Sequence, residues 1–406
     1  RCSYMFETGR PVSDVLWYLG DEMDHKPDQN APFPAGYKYD YCNPDALVNR
    51  LSVVDGRIVT PEGLSYSMLW IPENRRMLPE TVEAVYRLVK AGATVVGNAP
   101  KGPATLGADE KAFAKAVKKV WNGKNGIRKV GKGKVVSGME LSEAMTVLGM
   151  TPDVLAGEAM WSHFRNDSAD WYFMASPKGQ AYSQTVDFAC GGYPQLWNPV
   201  DGNVTPLPCE HRDGRTLVPI EMPEGGSCFV VFTDKKWPVD TKNDIESMAL
   251  ETWKLSFPEG WGAPETIELT ALAPWCDIEQ LSDEAKAFSG TAAYTANFDM
   301  EAIDPDADYA LELGRVAHIA EVILNGKPLG VLWCEPYAVN LREHLRTGNN
   351  ELTVKVTGTW FNRLVHDAAL PAGRRKTWAI RTPGPNERLR PTGLLDPLIR
   401  VESSAN

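Results

Sequence analysis

Asp14-Val15-Leu16-Trp17-Tyr18-Leu19-Gly20-Asp21-Glu22-Met23-Asp24-His25 decides how the first half of this chain reads. The unbroken apolar run 15–19, stopped by a glycine, is the pattern of a strand covered on both faces. The polar residues after Gly20 form a loop kept irregular by Pro27, Pro32 and Pro34. Working outward, Asn43 reads as an N-cap with Pro44 at the first helical position, and Ala46, Leu47 and Leu51 form one apolar face. Asp55-Gly56 between 53–54 and 57–60 is a two-residue hairpin signal. A strand at 67–71 precedes a helix starting at Pro79, with Val82, Val85, Leu88 and Val89 on one side and Gly92 at its end. A strand at 94–96 follows, then a helix marked by Phe113, Val117, Val120 and Trp121, a strand at 134–136 and a helix at 141–148.

Parallel strands need long crossovers, so strands separated by helices predict a mostly parallel, doubly wound sheet of the flavodoxin or amidotransferase-like kind over residues 1–155. From about Trp161 the pattern changes to strands at 170–175, 183–189, 217–221 and 227–233, which predicts a small β-sandwich over 156–240. The polar stretch 235–244 reads as a linker. Residues 241–406 carry evenly spaced short strands, with Asn325-Gly326 as a hairpin turn, and predict a jelly-roll, galactose-binding-like sandwich.

The chain has 406 residues, a net charge of -11 and a hydrophobic fraction of 43%, so two to three folded domains are expected. No apolar run approaches the ~18 residues of a membrane helix, so no membrane span is expected. The acidic balance argues against nucleic acid or an anionic membrane as partner. The basic run 124–134 lacks interleaved aromatics and reads as a mobile surface loop. The seven cysteines are scattered without a CxxC pair, and the six histidines lack metal-ligand spacing, so no metal site is assigned. Cys228 and Cys334 read as buried thiols, and His318 as a core imidazole. Neither GxSxG nor HExxH occurs, and the glycine-rich stretch 97–107 does not fit a phosphate-binding motif.

Two constellations carry chemistry. Asp21 and Glu22, with Asp24 and His25, lie just past the first strand, at the edge where open α/β sheets bind ligands. They suit acid, base or calcium-ligand roles, though neighbours in an extended loop point apart and do not form a dyad. The last 90 or so residues hold Asn325, Trp333, Trp360, Asn362, Arg363 and Asp367. Trp333, Trp360, Asn362 and Arg363 would serve a carbohydrate site as aromatic platforms with planar hydrogen-bonding groups. The same residues also fit a packing role, with both indoles inside the sandwich and Arg363 paired to Asp367, and that role is favoured.

The order of several motifs resembles glycoside hydrolase family 106, the α-L-rhamnosidases, in the region downstream of their barrel. These are Arg10-Pro11-Val12-Ser13-Asp14-Val15-Leu16, Tyr39-Asp40-Tyr41-Cys42-Asn43, Ala46-Leu47-Val48-Asn49-Arg50-Leu51-Ser52-Val53, Asp55-Gly56-Arg57 and the stretch 88–97. Gln195-Leu196-Trp197-Asn198-Pro199 and Asp213-Gly214-Arg215-Thr216 continue the match. Residues 320–333, 348–352 and 356–364 resemble the jelly-roll sugar-binding domain of that family and of family 2 glycosidases.

The resemblance implies part of a calcium-dependent, inverting hydrolase of rhamnosyl bonds in plant oligo- or polysaccharide, secreted or periplasmic. It implies that the catalytic carboxylates and calcium ligands belong to an N-terminal barrel in cis. A TIM barrel takes about 250 residues, and no eight-fold βα pattern occurs here, so the barrel is expected upstream of Arg1. The alternative from another class is a non-catalytic carbohydrate-binding or scaffold protein.

Overall fold

The computed structural model describes residues 1–21, 32–73, 75–238 and 244–403. Glu22, Asp24 and His25 therefore lie outside the described residues. The chain divides into two compact units, Arg1–Val239 and Asp240–Asn406. The expected break near residue 155 falls inside the first unit. The reason is topological: strand Arg10–Pro11 pairs antiparallel with Met160–Arg165, Arg10 opposite Arg165. The chain contributes to the sandwich before it builds the helix-flanked sheet.

That sheet has the order Tyr39–Cys42, Val15–Tyr18, Met68–Trp70, Thr94–Val96, Gly133–Ser137, Gly126–Val130 among the described residues. The first five strands run parallel and the last antiparallel. Successive strand residues face opposite sides. Leu16, Leu69, Val95 and Val135 accordingly pack under helices Pro44–Asn49, Pro79–Ala91 and Glu110–Val120, through Leu47, Val82, Val85 and Phe113. Val15, Met68, Val96 and Val136 pack with Ala144 and Met145 of helix Leu141–Val147. Asn43 caps its helix by accepting from the Ala46 amide at 2.8 Å, and Asp55-Gly56 turns with φ of 49° and 79°.

The basic run is not a loop. Gly126–Val130 and Gly133–Ser137 form a hairpin, and the lysines and arginines mark an edge strand, where charge discourages further strand pairing. Gly131 has φ of 59°, and a Cβ there would lie 2.6 Å from the Lys90 carbonyl, so only glycine fits the turn.

Besides a small three-stranded sheet of Ser52–Val54, Arg57–Val59 and Ser65–Tyr66, the rest of the first unit is a sandwich of two antiparallel sheets. Tyr172, Met174, Val230 and Phe232 from one face Val186, Phe188, Val218 and Ile220 from the other. The outer face of the first sheet is covered in part by helix Cys2–Thr8, whose Met5 and Phe6 rest on Trp171, Phe173, Phe229 and Val231.

The second unit is also an antiparallel sandwich. Leu255, Tyr294, Val322 and Val354 of a six-stranded sheet share one core with Tyr309, Leu311 and Ile399 of a four-stranded sheet. Asn325-Gly326 turns with φ of 51° and 76°. Two expectations fail. His318 is exposed, at the open start of strand Ile319–Leu324, where alternate residues face solvent. Cys334 is half-buried, because its strand ends at Leu332, whereas Cys228 is buried and its thiol is pushed up to about 12 by that burial.

Fully buried Asn350 fixes the turn region. Its Nδ2 donates to the Arg346 and Gly348 carbonyls at 2.7 and 2.9 Å, and its Oδ1 accepts from Asn325 Nδ2 and the Arg346 amide at 2.8 and 3.0 Å. Replacing Asn350 by Ala leaves these groups unpaired and should lower stability by about 2–3 kcal/mol. Urea unfolding of the variant reads this directly, and a loss below about 0.5 kcal/mol would refute it.

Candidate functional site

Asp21 stands at the carboxyl end of the parallel sheet, as its position after strand Val15–Tyr18 requires. Its Oδ2 accepts the Leu78 amide at 2.7 Å and its Oδ1 accepts the Thr81 hydroxyl at 2.8 Å. Leu78 precedes helix Pro79–Ala91 and has no capping side chain of its own. Asp21 therefore caps that helix from a distant part of the chain, where a carboxylate also complements the helix dipole. Both of its oxygens hold protein donors.

The C-terminal constellation is rearranged relative to its sequence reading. Helix Phe361–Ala368 carries Arg363 and Asp367 one turn apart. Arg363 is fully buried, with Nε 2.9 Å from Asp367 Oδ1 and Nη2 donating to Glu284 Oε1 at 3.2 Å. Lys376 Nζ lies 2.9 Å from the same Glu284 oxygen and donates to the Gly260 carbonyl at 2.7 Å. Asp367 Oδ2 accepts from the Lys376 amide, the Thr377 amide and the Thr377 hydroxyl at 2.7–2.8 Å. Burial pushes the Asp367 carboxyl up, but Thr377, Arg363 and His366 outweigh it and hold it below its ordinary value. The Lys376 ammonium, then Arg363, hold Glu284 down as well. Asn362 donates to the Arg390 carbonyl and accepts the Arg390 amide, both at 2.8 Å.

Asn362 and Arg363 are thus interior scaffolding, while Trp333 and Trp360 are on the surface, 64% and 51% exposed. The expectation that both indoles pack inside the sandwich is corrected: Trp333 follows the end of strand Lys327–Leu332, and Trp360 sits at the N-cap of its helix. Trp360 packs on Trp261 with centroids 5.6 Å apart, and Trp261 also meets the Arg363 and Lys376 cations at 5.6 and 5.7 Å. No ring contact joins Trp333 to this pair among the described residues. Trp261, Glu284 and Lys376 were not foreseen, because sequence separations of about 80–115 residues leave no local signal.

The first unit holds a third polar assembly, at the amino ends of the parallel strands. A cleft of about 480 Å³ is lined by Asp14, Arg57, Ser67, Thr94, Lys134 and Asp153. Beside it, buried His163 places Nδ1 2.7 Å from Asp153 and Nε2 2.8 Å from Asp170, while the Tyr172 hydroxyl donates to Asp153 at 3.0 Å. Two carboxylate acceptors require both ring nitrogens to donate, so this imidazole is a cation. Burial pushes the His163 pKa down, but its bonds to Asp153 and Asp170 outweigh that and raise it. Asp14 is raised to about 6 by burial, against the opposing Lys38 amide. Ligands of open α/β sheets sit at the carboxyl edge, so this amino-edge assembly reads as a seam joining sheet and sandwich.

The two raised groups act in the same direction. Each binds its proton more tightly in the folded chain, so each favours folding at low pH. The His163 contribution is complete below its ordinary value of 6.5 and is lost as pH rises through the raised one. That of Asp14 is complete below 3.8 and is lost as pH climbs through about 6. The melting temperature of the first unit should therefore fall as pH rises from 3.8 through about 6, and fall further above 6.5. Scanning calorimetry should show Asp14→Asn flattening the lower part of that slope and His163→Gln the upper part. A flat profile in the unsubstituted protein would contradict the assignment.

Among the described residues, no three His, Cys, Asp or Glu side chains converge as ligands for a metal ion, and no calcium-dependent step is derived for them. No helix among them is long and apolar enough to cross a membrane.

A rhamnosidase of known structure from Novosphingobium sp. PP1Y superposes with a TM-score of 0.87 at 29% identity, over 99% of this chain and 40% of its own. A putative beta-glucuronidase from Formosa agariphila is 40% identical over 126 residues, which is 30% of this chain and 11% of that protein. The chain therefore spans well under half the length of either relative. The family model described as alpha-L-rhamnosidase, glycoside hydrolase family 106, matches residues 1–211. With that match covering more than half of its 406 residues, the chain belongs to the alpha-L-rhamnosidase family, glycoside hydrolase family 106.

Proposed function

We propose that this chain is part of a glycoside hydrolase that cleaves rhamnosyl O-glycosidic bonds in plant oligo- or polysaccharide, and that its own units are accessory and carbohydrate-contacting. The observation that carries this reading is the family match together with the agreement in fold over 99% of the chain with a rhamnosidase. Inverting hydrolysis needs an acid and a base carboxylate about 6.5–9.5 Å apart. In this reading that pair, and the calcium ligands, belong to a barrel outside the chain, and the enzyme is secreted or periplasmic. The engagement of both Asp21 oxygens in helix capping supports an accessory role. It equally favours the second reading, a non-catalytic carbohydrate-binding or scaffold protein. The parallel sheet with helices on both faces is taken as doubly wound, and the second unit as a jelly roll of the galactose-binding kind.

The Trp261–Trp360 pair is the carbohydrate-contacting feature of this reading. Aromatic rings attract the C–H faces of sugars, and buried Arg363, itself paired to Asp367, faces the Trp261 ring. Trp333 supplies a separate exposed indole. The test is turnover of an aryl α-L-rhamnoside, with calcium and with chelator. The isolated chain should be inactive, and the longer enzyme that contains it should be active and lose activity to chelator. In that enzyme Trp360→Ala should lower kcat/KM on a rhamnose-containing polymer about five- to tenfold and leave the aryl substrate unaffected. Turnover by the isolated chain would overturn the accessory role, and equal loss on both substrates would overturn the contact.

A further inference from the structure

We propose that the sandwich of the first unit carries a separate binding cleft for an acidic saccharide, a glycan bearing uronate carboxylates. The cleft has a volume of about 590 Å³, within the range of small-ligand sites. Its lining includes Tyr193, Gln195, His211, Lys235, Lys236 and Trp237. No Asp or Glu lines it among the described residues, in a chain whose net charge is -11. Lys235 and Lys236 are set in a lining otherwise made of proline, leucine, cysteine and aromatic or polar side chains, and two lysines without a carboxylate in an acidic protein favour an anion.

Gln195 gives the cleft a built polar group. Its side chain is buried, 4% exposed, and its Oε1 accepts the Trp197 indole N–H at 3.0 Å. An indole nitrogen only donates, so the amide oxygen is fixed on that side. The Nε2 is then turned the other way, and it makes no hydrogen bond to any described residue. It is not among the buried polar atoms left without a partner, so solvent reaches it and it is open to an acceptor on a ligand in the cleft.

The aromatic side is equally ordered. His211 meets the Tyr193 ring edge-on, with centroids 5.8 Å apart. The Thr216 hydroxyl donates to the Cys190 carbonyl at 2.5 Å, so its oxygen accepts His211 Nδ1–H at 3.1 Å. That bond fixes the ring and its tautomer and keeps Tyr193 in place. The Lys236 ammonium lies 6.0 Å over the Tyr193 ring, which sets a cation beside the aromatic side of the cleft. Trp237, 39% exposed, adds an indole platform beside Lys235 and Lys236. Stacking surfaces, a solvent-reached amide donor and two ammonium groups fit a pyranose ring bearing a carboxylate.

The choice of a saccharide over other carboxylates rests on the glycan reading proposed above, but the site differs from the Trp261–Trp360 pair, and binding rather than turnover tests it. Calorimetric titration of the chain with a tetra-uronate oligosaccharide, and with its carboxyl-reduced neutral counterpart, reads both elements. The uronate should bind, and the reduced sugar should bind at least roughly tenfold more weakly. Trp237→Ala and Lys236→Ala, both surface changes, should each weaken uronate binding roughly tenfold with unchanged circular dichroism. Gln195→Glu, which sets a carboxylate against the ligand, should abolish it. Absence of uronate binding, equal binding of the reduced sugar, or unchanged affinity in Trp237→Ala would each overturn the proposal. Uronate binding by a chain whose longer enzyme lacks rhamnosidase activity would uphold this site and sink only the reaction proposed above.

Discussion

The first unit depends on a buried cation. His163 is held between Asp153 and Asp170, and all three belong to the seam where sandwich and parallel sheet meet. Asp153 does more than bind the imidazole: its amide donates to the Gly36 carbonyl and its carbonyl accepts the Ala189 amide. Gly36 lies just before sheet strand Tyr39–Cys42, and Ala189 just after sandwich strand Tyr182–Phe188. A charge removed from water is costly to the extent that its partners are missing. Removing either carboxylate would strand the other charges and loosen both layers together. This explains why the sheet and the sandwich behave as one unit although each has its own apolar core.

The second unit repeats the principle with a guanidinium. Arg363 binds Asp367 and Glu284, and through Glu284 and the Asp367 amide contacts it orders the irregular segment around Lys376 and Thr377. Its Nη1 is buried without a partner among the described residues, so the pairing is incomplete. The arrangement gives Trp261 two cations and leaves Trp360 on the surface. Charge burial here serves to position aromatic surface. Replacing the ions by apolar groups of similar size could fill the same space but would not set the direction of the rings.

Local chemistry was legible in the sequence wherever one short segment decides its own conformation. Asp55-Gly56 and Asn325-Gly326 adopt positive φ at both positions, and Asn43 caps the helix begun by Pro44. Strands 170–175 and 227–233 fall where period and composition put them. What failed was set by distant partners. The basic run became a strand because Gly133–Ser137 was available to pair with it. His318 and Trp333 looked internal from their apolar neighbours, but their side of the strand and its end point decide exposure. The capping of a helix at Leu78 and Thr81 by Asp21 joins residues about 60 positions apart, and no spacing rule anticipates it. The residues quoted for a carbohydrate site were half scaffold and half surface, a division fixed only by the helix Phe361–Ala368.

The tryptophans show how the two kinds of site arise from one composition. Trp17, Trp121, Trp171, Trp253 and Trp275 are buried and fill the apolar cores. Trp237, Trp333, Trp360 and Trp378 are exposed. Exposing an indole forfeits the hydrophobic gain of burying it, and that gain is larger for aromatic side chains than for most others. One exposed indole, Trp237, stands beside Lys235 and Lys236, while Trp360 rests on half-buried Trp261, which itself faces Arg363 and Lys376. A ring left in water next to a cation keeps a stacking face and a charge available together. Such pairing has no packing advantage over an internal indole, and the two places differ in which cations remain uncompensated. Glu284 and Asp367 neutralise the cations near Trp360, whereas no carboxylate lines the cleft at Trp237 among the described residues.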